Sequence, residues 1–247
     1  MSDPATRTER LTHAARDQSF PTVRPKDAAT LIILDRGAAV PKVLLGRRHH
    51  GHKFLPGRFV FPGGRIEFAD RLMPVATPLD ARVETLLMQR VQRPTRDKAR
   101  ALALAAIRET FEETGLLIGR KLAPPPTAPP GLWAEFAQAG VLPDLAALHF
   151  VARAITPPGR TKRFDTRFFA VAAAEIVERR DGVVGPDSEL TELVWVPMTE
   201  AVHLDLMTVT TVVLEELQTR IAAGMRRDMP VPFYRMLHRR FVHAQLD

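Results

Sequence analysis

The sequence predicts an α/β fold, with strands and helices mixed along one chain of 247 residues. Short aliphatic and β-branched runs, Ala28 to Leu34 and Leu193 to Val196 among them, read as buried strands. The stretch from Lys98 to Ile107 lacks Pro and Gly and is mostly Ala, Leu, Arg and Lys, all good helix formers. Hydrophobic residues make up 45% of the chain, enough to build a core and to exclude wholesale disorder.

Residues 1 to 24 are polar and unpatterned and are expected to form a flexible N-terminal arm, with one domain from 25 to 247. Ala28 to Leu34 is the first strand; Gly37 turns the chain, and Lys42 to Gly46 is the second. Phe59 to Phe61 is a short strand entering the turn Pro62-Gly63-Gly64. Val83, Leu86, Leu87 and Val91 are helix-spaced and predict a helix between Asp80 and Gln92. Thr95 is the expected N-cap of the next helix, and Gly115 its stop. Leu116 to Ile118 starts a strand, and the five prolines between Ala123 and Pro130 predict a stiff connector. Short helices are expected at Leu132 to Ala139 and Leu145 to Phe150, then strands at Arg163 to Ala172 and Leu193 to Val196. Thr199 should cap a short helix and Val209 to Ala223 form a long one, giving a helical C-terminus over about 199–247.

The chemistry concentrates on Arg108-Glu109-Thr110-Phe111-Glu112-Glu113-Thr114-Gly115. Leu104, Ile107 and Phe111 form an apolar stripe, while Glu109, Glu112 and Glu113 share another face at i, i+3 and i+4. Such carboxylates repel by roughly a few tenths of a kcal/mol per pair. A hard divalent cation wants these oxygens and removes the repulsion. Arg108, four residues before Glu112, can brace one carboxylate. A lone cluster of this kind is also what a solvated helix end looks like; the Phe61-Pro62-Gly63-Gly64 turn upstream decides between the two. Its glycines let backbone approach a bound ion or phosphate closely.

Together these residues resemble the Nudix hydrolase family, whose box reads Gx5Ex7REUxEExGU, U being a bulky apolar residue. Gly64 matches the first glycine, and Arg108, Glu109, Glu112, Glu113, Gly115 and Leu116 match the second half. Asp70 stands where the box has Glu, and Thr110 replaces an apolar residue. Between Asp70 and Arg108 lie 37 residues, 30 more than the box has. An insertion there, about 71–94, resembles the branch of the peroxisomal acyl-coenzyme A diphosphatases. RETFEETG, ITPPGRTKRFDTRFFA and ELVWVP look like the same branch. The resemblance implies an α/β/α sandwich with a mixed sheet, the insertion forming an added helix outside the catalytic core. It implies a diphosphatase using Mg²⁺ or Mn²⁺, with Glu109 and Glu113 as first-choice ligands, Glu112 third, and the Gly64 carbonyl completing the shell. A base for the attacking water is found in the helix or on a distant loop in this family; Asp187, Glu189 and Glu192 are the distant candidates.

The formal charge is +7, which suits a polyanionic small substrate or nucleic acid. Arg47, Arg48, Lys53, Arg58 and Arg65 gather just before and in the box. Against the family's coenzyme A signature, LLTxR[SA]x3Rx3Gx3FPGG, the chain keeps Leu44, Leu45, Arg48, Gly57 and the FPGG turn. Gly46 and His49 depart, and Lys53 replaces Arg without its bidentate fork. Arg48, Lys53, Arg58 and Gly63 are therefore the candidate substrate contacts, for coenzyme A derivatives or for another nucleoside-diphosphate compound such as ADP-ribose. Arg160, Lys162, Arg163 and Arg167 form a second cationic group, for phosphate or for pairing with Asp165. A non-catalytic nucleic-acid-binding module is disfavoured, because aromatic residues are only 6% and are not interleaved with the basic ones. The chain has no Cys, which excludes disulfides, thiolate zinc sites and a cysteine nucleophile. It has no membrane-length apolar run, no apolar signal core and no Ser-Lys-Leu ending, so a cytoplasmic enzyme without a membrane partner is expected; the oligomeric state is open.

Overall fold

The structure is a computed structural model and describes residues 3–14, 19–51, 56–124 and 126–247. In chain order its elements begin with α1 (Pro4–His13), β1 (Lys26–Asp35), β2 (Lys42–Arg48), β3 (Phe59–Val60), β4 (Gly63–Arg65) and α2 (Phe68–Leu72). There follow α3 (Ala81–Met88), α4 (Arg96–Thr114), β5 (Leu116–Ile118), β6 (Arg120–Lys121), α5 (Leu132–Gln138) and β7 (Val141–Leu142). The second half holds β8 (His149–Ile155), β9 (Phe164–Ala172), β10 (Ile176–Arg179), β11 (Leu190–Pro197) and α6 (Met198–Ala201). It ends with α7 (Thr208–Ala222), β12 (Val231–Leu237) and β13 (Arg240–Leu246).

Nine strands make one mixed sheet in the order β11-β2-β1-β9-β8-β12-β13, with β3 joined to β2 and β4 to β1. Central β1 runs parallel to β9 and antiparallel to β2 and β4. Its side chains alternate, as a strand buried on both faces requires. Ala29, Leu31 and Ile33 join the core beneath α4, while Ile32 and Leu34 join Val212, Val213 and Leu217 of α7 on the other face. The molecule is thus the expected α/β/α sandwich.

Helix α4 starts and stops as its sequence dictates. The Thr95 side chain accepts the Lys98 N–H at 3.1 Å, and Gly115 ends the helix in the left-handed region at φ 74. Pairing of Ala28 to Thr30 with Gly63 to Arg65 then sets the glycine turn against the end of this helix.

Five local expectations are corrected. The N-terminal arm expected to be flexible contains α1, capped by Asp3 and held by Arg7, which pairs with Glu215 at 3.2 Å and Glu216 at 2.6 Å. Leu145 to Phe150 is not a helix; one 3-10 turn covers Leu145–Ala147, and pairing with β9 draws the chain into β8 from His149. Helix α6 begins at Met198, so Thr199 lies inside it rather than capping it. The C-terminus is not wholly helical: after α7 it forms the β12–β13 hairpin. Finally, α3 ends at Met88 because Arg90 and Arg93 take left-handed backbone, at φ 52 and 53. Val83, Leu86 and Leu87 of that insertion helix share one apolar cluster with Leu102 and Ala106 of α4. Among the described residues no helix is long and apolar enough to cross a membrane.

Candidate active site

The last two turns of α4 meet the glycine turn. A Cβ placed on Gly64 would fall 2.3 Å from the Glu109 carboxyl, so any side chain there would push that carboxyl out of place. The 37 residues between Asp70 and Arg108 therefore leave the two halves of the motif in contact.

Arg108 is the hub. Its Nε donates to Asp70 Oδ1 at 2.8 Å, and Nη2 to Asp70 Oδ2 at 3.2 Å and the Arg65 carbonyl at 2.7 Å. Nη1 donates to Glu109 Oε1 at 3.0 Å and Glu112 Oε2 at 3.2 Å. Five N–H groups thus meet five acceptors, the full capacity of a guanidinium. Burial works against its charge. The bonds and charge of Asp70, with the charge of Glu109, outweigh it and hold the proton more firmly than usual.

Asp70 is the fully buried partner of that hub. Besides Arg108 it accepts from Trp133 Nε1 at 3.1 Å and the Glu67 N–H at 2.7 Å, closing the first turn of α2. The motif alignment marks Asp70 only as a departure. Its role comes from α5 bringing Trp133 across, which no sequence signal shows.

The three glutamates differ. Glu112 keeps half its side chain in solvent. Burial raises Glu109 to about 7, opposed by Arg108 and assisted by the charges of Glu112 and Glu67. Glu113 is raised well above the usual range, first by burial, then by the charges of Glu189 and Glu109, although the Gly63 N–H and Arg48 pull the other way. Its Oε2 is buried without a hydrogen-bond partner. An orphaned carboxylate oxygen is a hard donor that fits a divalent cation. As the side chains stand, no three His, Asp or Glu residues among the described residues converge to hold one ion. Glu109 and Glu112 are turned onto Arg108 instead.

Arg48 comes to this carboxylate group, pairing with Glu189 at 2.9 Å, and its Nε is buried without a partner. Glu189 is thus the one distant base candidate shown beside Glu113. Glu192 pairs with Arg47, and Asp187 is exposed. Arg58 does not join Arg48 in one grip: its side chain reaches Asp205 at 3.4 Å. Lys53 lies outside the described residues. In the second cationic group, Arg167 pairs with Asp27 at 2.7 Å and Asp165 at 3.3 Å, while Arg163 donates to the Thr156 and Val23 carbonyls. Asp165 pairing, rather than an open phosphate site, describes Arg167.

No family model matches the chain. It is 29% identical over 181 residues to the acyl-coenzyme A diphosphatase NUDT19 of Homo sapiens, across 54% of this chain and 48% of the human protein. The chain thus spans about half the length of that curated relative. Among solved structures it is similar to a NUDIX hydrolase from Alicyclobacillus acidocaldarius. That likeness has 28% identity and a TM-score of 0.54, and covers 82% of this chain and 85% of the other. The motif, the fold that assembles it and these two likenesses together make the chain similar in sequence and in structure to the Nudix hydrolases.

Proposed function

We propose that this chain is a divalent-metal-dependent diphosphatase acting on a nucleoside-diphosphate compound, with coenzyme A or acyl-coenzyme A as the favoured substrate. The observation that carries the reading is Glu113 Oε2, buried and unpartnered beside Glu109 and the Gly64 turn. Glu109, Glu113, Glu112 and the Gly64 carbonyl would hold Mg²⁺ or Mn²⁺. When bound, the ion neutralises phosphate oxygens and lowers the pKa of water for in-line attack on phosphorus, with cleavage of the phosphorus–oxygen bond to the leaving phosphate.

The side chains do the rest. Arg108 fixes Glu109 and Glu112 from behind while Asp70 fixes Arg108. Arg48, next to Glu113, has a buried Nε available for a diphosphate oxygen. Glu189 stands where it could accept the proton of the attacking water. The coenzyme A preference is supported by the resemblance to the human acyl-coenzyme A diphosphatase and by the Leu44, Leu45, Arg48, Gly57 and FPGG positions.

The test is a panel of coenzyme A, acyl-coenzyme A, dephospho-coenzyme A and ADP-ribose with and without Mg²⁺ or Mn²⁺. Metal-dependent cleavage of the coenzyme A compounds is expected. Much faster cleavage of ADP-ribose would remove coenzyme A, and metal-independent cleavage would remove the mechanism.

A further inference from the structure

Next to the catalytic turn a cleft of about 740 Å³ opens between the start of β1, the end of β4, helix α2 and the residues after α3. Seven cationic side chains and three carboxylates line it. Two cations are neutralised within it: Arg153 by Asp165 and Lys98 by Asp27, each at 2.6 Å. Arg71 reaches only the exposed Asp97, at 3.6 Å. Lys26, Arg65 and Arg90 make no ion pair among the described residues. The one remaining carboxylate, Glu67, faces Arg108 at 4.0 Å. A cleft lined by a surplus of one sign concentrates its field on an incoming anion.

The second observation is Phe68, which also lines this cleft and is 75% exposed. A bare ring beside uncompensated guanidinium groups suits a nucleotide, whose base stacks on the ring while its phosphate takes charge-assisted hydrogen bonds. The cleft also begins where the catalytic turn ends. Arg65 follows Gly64 directly, and its carbonyl accepts from Arg108 at 2.7 Å. The insertion completes the wall with Arg71, Arg90 and Gln92, Arg90 being held in left-handed backbone at φ 52.

We propose that this cleft binds a phosphorylated nucleoside, with Phe68 stacking on the base and Arg65 and Arg90 contacting a phosphate monoester on its sugar. The assignment rests on the diphosphatase reading for its orientation, the scissile linkage lying at Glu109 and Glu113. It sets the monoester apart from the Arg48 and Arg58 side chains and gives the insertion a part in substrate choice.

The test is calorimetric titration with adenosine 3′,5′-bisphosphate, which carries no diphosphate linkage to cleave. The wild type should bind it. Phe68→Ser, and Arg65→Gln combined with Arg90→Asn, should each weaken binding at least tenfold without changing Tm. All three side chains are exposed, and Asn tolerates left-handed backbone at position 90. Unchanged affinity in both variants, or no binding by the wild type, overturns the assignment. So does tighter binding of a single-stranded oligonucleotide lost in the same variants, which would make the cleft a nucleic-acid surface. The titration involves no turnover, so an inactive wild type would refute the diphosphatase reading separately while binding still reports on the cleft.

Discussion

Arg108 and Glu113 lie on the same helix, at 1% and 7% exposure, yet their surroundings are opposites. Every N–H of Arg108 is matched, whereas Glu113 leaves Oε2 bare in the interior. A buried charge with all its partners is a fixed part of the architecture; a buried carboxylate without them is a cost that a bound ligand can offset. Under the proposed function, that difference assigns Arg108 to holding the site and Glu113 to working in it.

The strongest way to break that contrast is at Asp70. Asp70→Ala should destabilise the protein by about 3–5 kcal/mol, because it strands a buried guanidinium. Denaturant unfolding measures this directly. A loss under about 1 kcal/mol, the size of an exposed pair, would mean that Arg108 is not held as described.

Glu109 gives the next effect, through pH. Its carboxyl is raised from 4.5 to about 7 in the fold, so at intermediate pH the native state holds the proton more firmly than the unfolded chain. Without metal, stability should therefore fall as pH rises from 4.5 to about 7, by roughly 3 kcal/mol over the full shift. Glu109→Gln should reduce that slope and leave the part due to Glu113, which burial also raises, and Mg²⁺ should oppose it by favouring the ionised forms. A metal-free protein whose stability rises across this window would contradict the burial of Glu109.

Arg48 sharpens the comparison with a smaller effect. A phosphate contact contributes about 1.5–3 kcal/mol, so Arg48→Ala should lower kcat/KM roughly tenfold to hundredfold. Placed on the diphosphate, it should cost coenzyme A and dephospho-coenzyme A equally. A loss confined to coenzyme A would place the 3′-phosphate on this arginine and not in the Phe68 cleft.

What was legible in the sequence follows the same division. The Thr95 cap, the Gly115 stop and the carboxylate spacing gave α4 and its acidic face, since each acts within a few residues. Contact of Gly64 with Glu109 was readable across the insertion because only the ends of the motif matter. The partners that hold the site were hidden: Trp133 and Asp70 meet across 63 positions of chain. Helix α1 escaped notice because ion pairs to Glu215 and Glu216 hold it, while its buried apolar anchor is Leu11. The β12–β13 hairpin turns through His238 and Arg239, both at positive φ, where Asn or Gly would have signalled it.

The most direct test of Glu113 as the working carboxylate is metal-dependent turnover of Glu113→Gln, measured at saturating substrate alongside Mn²⁺ binding and Tm. The account predicts weakened Mn²⁺ binding and turnover reduced by more than about 100-fold, beyond what loss of a ligand's supporting partner costs, with Tm equal to or above wild type. Wild-type-like turnover that still requires the metal would place the metal site elsewhere and contradict the account.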